Sequence, residues 1–252
     1  MASEELGSPK DRVEGYSAKP PRSRPPPALV TAVGVGALLA TVYPPVAERA
    51  LASFGVRPVA ISLLALGVGS LVAWQRLAAR ARIPLAARAA ILSLPALAAA
   101  TGEVLSLQLV PAAIQALIAV LFVVSLRGGG SLFYDAARSL HPYAPEFIAP
   151  YCRKSTIVFA AIFAGLAVAA TWLAFDPPGS GWGTATGLWI WTPVLAASLV
   201  DWAVRKWWFR YFGPGPLDQL LKRMLPPENT SAGRRSLDYI RKMRAQLGMP
   251  PP

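Results

Sequence analysis

Residues 155–175 read STIVFAAIFAGLAVAATWLAF, an uninterrupted apolar run without a single charge. As a helix with 1.5 Å rise per residue, a run of this length covers roughly 30 Å, the thickness of a bilayer's hydrocarbon core. Residues 182–200, WGTATGLWIWTPVLAASLV, form a second such run. These two stretches set the expected fold class, an all-α integral membrane protein. Working outward from them, four further apolar segments lie at about 105–126, 89–101, 59–74 and 27–46. The 89–101 and 105–126 segments are separated by little more than Gly102 and Glu103 and imply a tight helical hairpin. Pro95 and Pro111 sit inside this pair, so a tilted or re-entrant half-helix remains an alternative for the shorter one. Pro27 suits a helix start, and Pro44 with Pro45 marks the expected exit of the first span.

The chain as a whole agrees with that local reading. Its 252 residues are 54% hydrophobic and only 15% charged. The mean hydropathy of +0.42 is too high for one water-soluble domain. The single cysteine, Cys152, excludes an intramolecular disulfide and multi-cysteine metal sites, and the single histidine, His141, excludes a multi-histidine site. No metal or cofactor is therefore expected. A 20-residue apolar run followed by further spans also argues against a cleaved secretory signal.

Charge placement tests the span count independently, because basic residues in short loops stay cytoplasmic. Six spans with the N-terminus inside put five basic residues before the first span, four between the second and third, four between the fourth and fifth, and ten in the tail. That arrangement places 23 of the 25 lysines and arginines on one side, leaving only Arg49 and Arg57 on the other. Deleting any one span would move later basic loops to the wrong side. The expected organisation is thus a disordered cytoplasmic arm (1–26), a six-helix membrane domain (27–202) and a basic juxtamembrane and amphipathic cytoplasmic tail (203–252), with both termini cytoplasmic.

The net charge of +12 suits either nucleic acid or an anionic bilayer. No helix-turn-helix, zinc-finger or RNA-binding signature accompanies it, so no nucleic-acid partner is expected and anionic lipid is the simpler one. The tail begins Asp201-Trp202-Ala203-Val204-Arg205-Lys206-Trp207-Trp208-Phe209, an aromatic and basic composition typical of an interfacial anchor. Gly213-Pro214-Gly215-Pro216 then breaks the helix. Leu217, Leu220, Leu221, Met224 and Leu225 share one helical stripe, and Ser231 is a candidate cap for a second segment carrying Leu237, Ile240, Met243 and Leu247. Two amphipathic helices lying on a surface are expected.

The polar stretch at 127–154 is where chemistry is expected if there is any. It contains Arg127, Gly128-Gly129-Gly130, Tyr134, Asp135, Arg138, His141, Glu146, Tyr151, Arg153 and Lys154. Three glycines cradle phosphate only with a following lysine and hydroxyl at P-loop spacing, which are absent, so flexibility is their simpler role. His141 can shuttle a proton with Glu146, or fix a turn before Pro142. Arg138, Arg153 and Lys154 either enforce topology or meet headgroups. No ionisable group lies near the middle of any span, which disfavours a polar-ion pump. Gln108, Gln115 and Thr171 join helices or coordinate a solute.

Two blocks carry a family resemblance. Ser125-Leu126-Arg127, Ala137-Arg138, His141, Pro145-Glu146 and Tyr151-Cys152-Arg153-Lys154-Ser155-Thr156 resemble the loop leading to the fifth span of an uncharacterised bacterial multi-pass membrane-protein family. Asp201-Trp202-Ala203-Val204-Arg205-Lys206 with Phe209 is similar to that family's acidic-aromatic-arginine exit from the sixth span. Some genes of the family lie beside fatty-acid or aryl-polyene synthesis genes, and the family is distantly similar to intracellular septation protein A. The resemblance implies a bacterial inner-membrane setting and points to His141, Glu146, Tyr151, Arg153, Asp201, Arg205 and Lys206 as binding residues, with no catalytic residue. The expected function is an accessory or scaffold protein of envelope lipid or polyene metabolism. Its basic face would dock anionic headgroups, an acyl carrier protein or another membrane-assembly partner. A transporter or flippase of a lipid-like product and an acyltransferase-like enzyme are the alternatives.

Overall fold

The computed structural model describes residues 27–77, 85–140, 145–177, 181–209 and 215–246. The expected disordered arm, 1–26, lies outside the described residues. Every regular element among those described is helical. Helix α1 spans Pro27–Phe54, α2 Val56–Leu77 and α3 Leu85–Thr101; α4 (Val104–Gln108) runs through Leu109 into α5 (Val110–Ser125). Helix α6 is Leu132–Leu140, α7 Ala149–Leu173, α8 Trp182–Gly187 and α9 Thr192–Phe209, followed by α10 (Pro216–Met224) and α11 (Ser231–Gln246). Three continuous helical stretches are long and apolar enough to cross a membrane: Val104–Ser125, Glu146–Leu173 and Trp182–Phe209. The apolar runs Val56–Gly69 and Leu92–Thr101 are shorter.

Helices α5 and α7 form the centre. They run antiparallel, because Gln108 Nε2 donates to the Asp176 carbonyl at one end (3.3 Å) and Arg153 Nη1 to the Leu126 carbonyl at the other (3.3 Å). Small residues, Ala112 and Ala119 on α5 and Ala160 and Ala170 on α7, are all buried in the shared core. Small side chains at a helix crossing let two backbones approach closely, which is how helices associate where the hydrophobic effect is weak. Phe122 stacks on Phe159 and Phe163, and Phe133 of α6 closes the group with its ring 5.0 Å from that of Phe159. A second core joins α2, α3 and α4 through Val59, Ala60, Ala98 and Leu107, with Ala50 and Leu51 of α1 packed against it.

The turn between α3 and α4 is made by Gly102, whose φ of +78° is open to glycine at little cost, and its N–H caps the Ala98 carbonyl at 2.8 Å. Pro111 falls in the first turn of α5; it has no N–H for the Leu107 carbonyl four residues back, and the Tyr43 hydroxyl donates to that carbonyl at 3.2 Å.

Two departures from the sequence expectations have physical causes. Helix α1 continues through Pro44 and Pro45 to Phe54 instead of ending there. Pro45 has no N–H for the Thr41 carbonyl, and α8 packs against this stretch: a Cβ on Gly187 would lie 2.6 Å from that carbonyl, and one on Gly183 2.6 Å from the Pro44 carbonyl. The two glycines let α8 support the proline turn from outside. The stretch from Trp182 is likewise not one straight helix. It divides into α8, a 3₁₀ turn at Trp189–Trp191, and α9, with Pro193 in the first turn of α9, where it cannot donate to a preceding carbonyl.

The tail helices are held by the bundle. Tyr239 of α11 is buried and meets Phe147 edge-on at 5.9 Å, and Phe147 in turn meets Phe209 of α9. The cap of α11 is Thr230, one residue before Ser231: its Oγ1 accepts the Gly233 N–H at 3.1 Å. Helix α10 keeps Leu217, Leu220 and Met224 exposed.

Candidate functional site

Three side chains from two helices meet on the carboxylate of a fourth. Tyr151 and Ser155 lie four residues apart on the first turns of α7 and therefore face the same way, as do Asp201 and Arg205 on α9. Asp201 Oδ1 accepts the Ser155 hydroxyl at 2.6 Å and the Tyr151 hydroxyl at 2.8 Å. Asp201 Oδ2 lies 2.7 Å from Arg205 Nε in an ion pair that lacks the alignment of a hydrogen bond. The Arg205 guanidinium carbon is 5.5 Å from the centre of the Phe133 ring and 5.4 Å from that of Tyr151, within cation–π range of both. Phe209 seals the other side of Tyr151, edge to face at 5.3 Å.

This carboxylate is fully engaged: two hydroxyls donate to Oδ1 and a guanidinium stands beside Oδ2, so its contacts hold the geometry of α7 against α9. Among the described residues no group of three or more His, Cys, Asp or Glu is placed to hold a metal ion. Cys152, next to Tyr151, is buried. Beside the cluster on α6, burial pushes the Tyr134 phenol above its ordinary pKa, with Arg138 pulling it the other way. Its hydroxyl has no hydrogen-bond partner among the described residues.

Of the residues expected from sequence, Tyr151, Asp201 and Arg205 come together. Lys206 is adjacent but points elsewhere, pairing with Asp218 of α10 at 2.6 Å and tying α10 to the end of α9. Arg153 is exposed and donates to the Leu126 carbonyl. Glu146 is exposed in the 3₁₀ turn before α7, outside the cluster. His141 lies outside the described residues. Ser155 and Phe133 are members that sequence reasoning did not single out. The spacing from Tyr151 signals the first; the apolar positions Leu132, Phe133, Ala136, Ala137 and Leu140, spaced as one helix face, signal the second.

A second carboxylate sits at the far end of the bundle. Glu48 of α1 accepts the N–H groups of Gly181 (3.2 Å) and Gly183 (2.9 Å), on the first turn of α8. Nearby, Tyr43 donates to the Leu107 carbonyl at 3.2 Å. No family model, curated protein or solved structure matches the chain.

Proposed function

We propose that this chain is a six-span protein of the bacterial inner membrane with both termini in the cytoplasm. It serves envelope lipid or polyene synthesis as an accessory protein, docking anionic lipid headgroups on its basic cytoplasmic face; an acidic carrier protein would use the same charges. The observation that carries this reading is the sorting of cations between the two ends. Exposed Arg127, Arg153 and Lys154 stand at the Asp201 end, and ring contacts bring exposed Arg234, Arg235 and Arg241 of α11 to it. Arg49 and Arg57 belong to the Glu48 end, where Gly102 lies beside Arg57.

The helix ends support the topology. The last turns of α3 and α7 and the first turns of α4 and α8 gather at the Glu48 end, whereas the end of α5, the start of α7 and the end of α9 gather around Asp201. The engaged state of Asp201 favours a holding function over catalysis.

The test uses full-length protein in vesicles whose phosphatidylglycerol or phosphatidylcholine carries brominated chains. At low salt, tryptophan fluorescence should be quenched more strongly by brominated phosphatidylglycerol, and the preference should fade at about 1 M salt, where the Debye length is roughly 3 Å. Equal quenching by the two lipids at low salt would refute the docking function. Cysteines placed singly at Glu103 and Lys154 in a Cys152→Ala background should react with an impermeant maleimide from opposite sides of the membrane; labelling from one side would refute the topology.

A further inference from the structure

The geometry points to a specific receptor within that basic face: the outer edge of the Arg205 guanidinium is a fork for the phosphate of an anionic lipid in the cytoplasmic leaflet. The inference rests on the docking function proposed above and assigns its selectivity to one preorganised residue.

Arginine has five N–H donors in a fixed plane. In Arg205 Nε lies 2.7 Å from Asp201 Oδ2, and the two Nη groups make no hydrogen bond among the described residues. The side chain is 33% exposed while Nε itself is buried, so its exposure falls on the rest of the side chain. Its position is fixed by the ion pair with Asp201 and by the Phe133 and Tyr151 rings beside it. Asp201 is in turn fixed by the hydroxyls of Tyr151 and Ser155. An arginine held this way loses little side-chain freedom on binding, and two parallel Nη donors match two oxygens of one phosphate.

Depth identifies the ligand. Trp202 and Trp208 lie three residues to either side of Arg205 and are 43% and 61% exposed, neighbours on the surface of α9. Tryptophan favours the headgroup layer, which sets Arg205 at the level of lipid phosphates. The adjacent cations are differently used: Lys206 is paired with Asp218, and Arg153 donates to a backbone carbonyl. Exposed Lys154 and Arg127 add positive potential, which favours a phosphodiester whose headgroup carries no compensating cation.

The experiment measures phosphatidylglycerol retained by the full-length protein in detergent, by native mass spectrometry, with phosphatidylcholine as competitor. Arg205→Lys keeps the charge and the partner of Asp201 but loses the fork; it should weaken phosphatidylglycerol binding about tenfold, the scale of one charge-assisted bidentate contact. Phe133→Leu leaves the ion pair intact and should weaken binding several-fold by loosening the guanidinium, which keeps the test decisive if the first variant folds poorly. Arg49→Gln at the opposite end should bind as the unaltered protein does. Phosphatidylglycerol preference undiminished in both Arg205→Lys and Phe133→Leu would overturn the fork while leaving the docking function standing. Absence of any preference in the unaltered protein would remove both. Displacement of the lipid by millimolar inorganic phosphate would overturn the lipid assignment in favour of a soluble anion.

Discussion

Asp201 and Glu48 are both carboxylates attached to long apolar helices, and the protein neutralises them by opposite means. Glu48 is answered by main-chain N–H groups at the start of α8, with no ion pair to a cation among the described residues. Asp201 is answered by two hydroxyls and an arginine. Backbone donors force a close approach, so the Glu48 end depends on glycines and becomes a rigid joint. Side-chain donors let the two backbones stand further apart and bring a cation to the surface, so the Asp201 end presents the face proposed to dock lipid. The same chemical need produces close packing at one end and a partly exposed cation at the other.

The strongest way to break the comparison is at the joint. A Cβ on Gly183 would lie 2.6 Å from both Glu48 Oε2 and the Pro44 carbonyl and 2.8 Å from Pro45 Cα, atoms that include backbone and cannot rotate away. Gly183→Ala is expected to destabilise the protein by about 3 kcal/mol, at the upper end of overpacking costs. Gly165→Ala, in α7 with nothing within 4 Å of its added Cβ, should be neutral or slightly stabilising. Thermal unfolding in detergent checks both, and equal midpoints for the two variants would show that the joint yields.

Next comes the charged centre at the other end. Asp201→Asn preserves shape but sets an amide where Arg205 needs a carboxylate. The expected loss is about 2 kcal/mol, below the cost of a fully buried unpaired charge because the Arg205 side chain is one-third exposed. Glu48→Gln should cost about 1 kcal/mol, since its remaining oxygen still accepts one of the two N–H groups. A larger loss at Glu48 than at Asp201 would reverse the ranking of the two ends.

The legibility of these ends in sequence follows the same division. The pairs Asp201 with Arg205 and Tyr151 with Ser155 are visible as four-residue spacings. That the two pairs face each other is a tertiary fact spanning some 50 positions, which no local pattern encodes. Glu48 gives no signal, because its partners are main-chain groups that leave no residue-type signature. The apolar runs within Val104–Ser125 and Glu146–Leu173 are plain from composition, since a bilayer demands length and apolarity alone. The continuation of α1 through Pro44 and Pro45 is hidden for the opposite reason: proline's local preference is to end a helix, and glycines 139 and 142 residues further along override it.

Within the Asp201 cluster, Tyr151→Phe and Ser155→Ala each remove one of the two hydroxyls on Oδ1. Each should cost about 1 kcal/mol, the usual net worth of one hydrogen bond. Because both serve one oxygen and one charge, the double variant should depart from the sum of the singles by at least about 0.5 kcal/mol. Strict additivity would mean that the two hydroxyls do not act through a common carboxylate.

The smallest effect on stability, and the cleanest separation of recognition from packing, belongs to α10. Leu220 is 54% exposed and lies on a stripe with Leu217 and Met224, while the helix is anchored by Asp218 to Lys206. Leu220→Glu removes no core contact, so the unfolding midpoint should move by no more than about 0.5 kcal/mol in stability terms. If the stripe rests in the cytoplasmic headgroup layer, a fluorophore on a cysteine at Gln219 or Leu217 should report loss of contact with the bilayer in the Leu220→Glu background. A substantial loss of stability instead would mean that the stripe packs on protein, as Tyr239 of α11 does, and that α10 belongs with the joint at the far end and not with the face around Arg205.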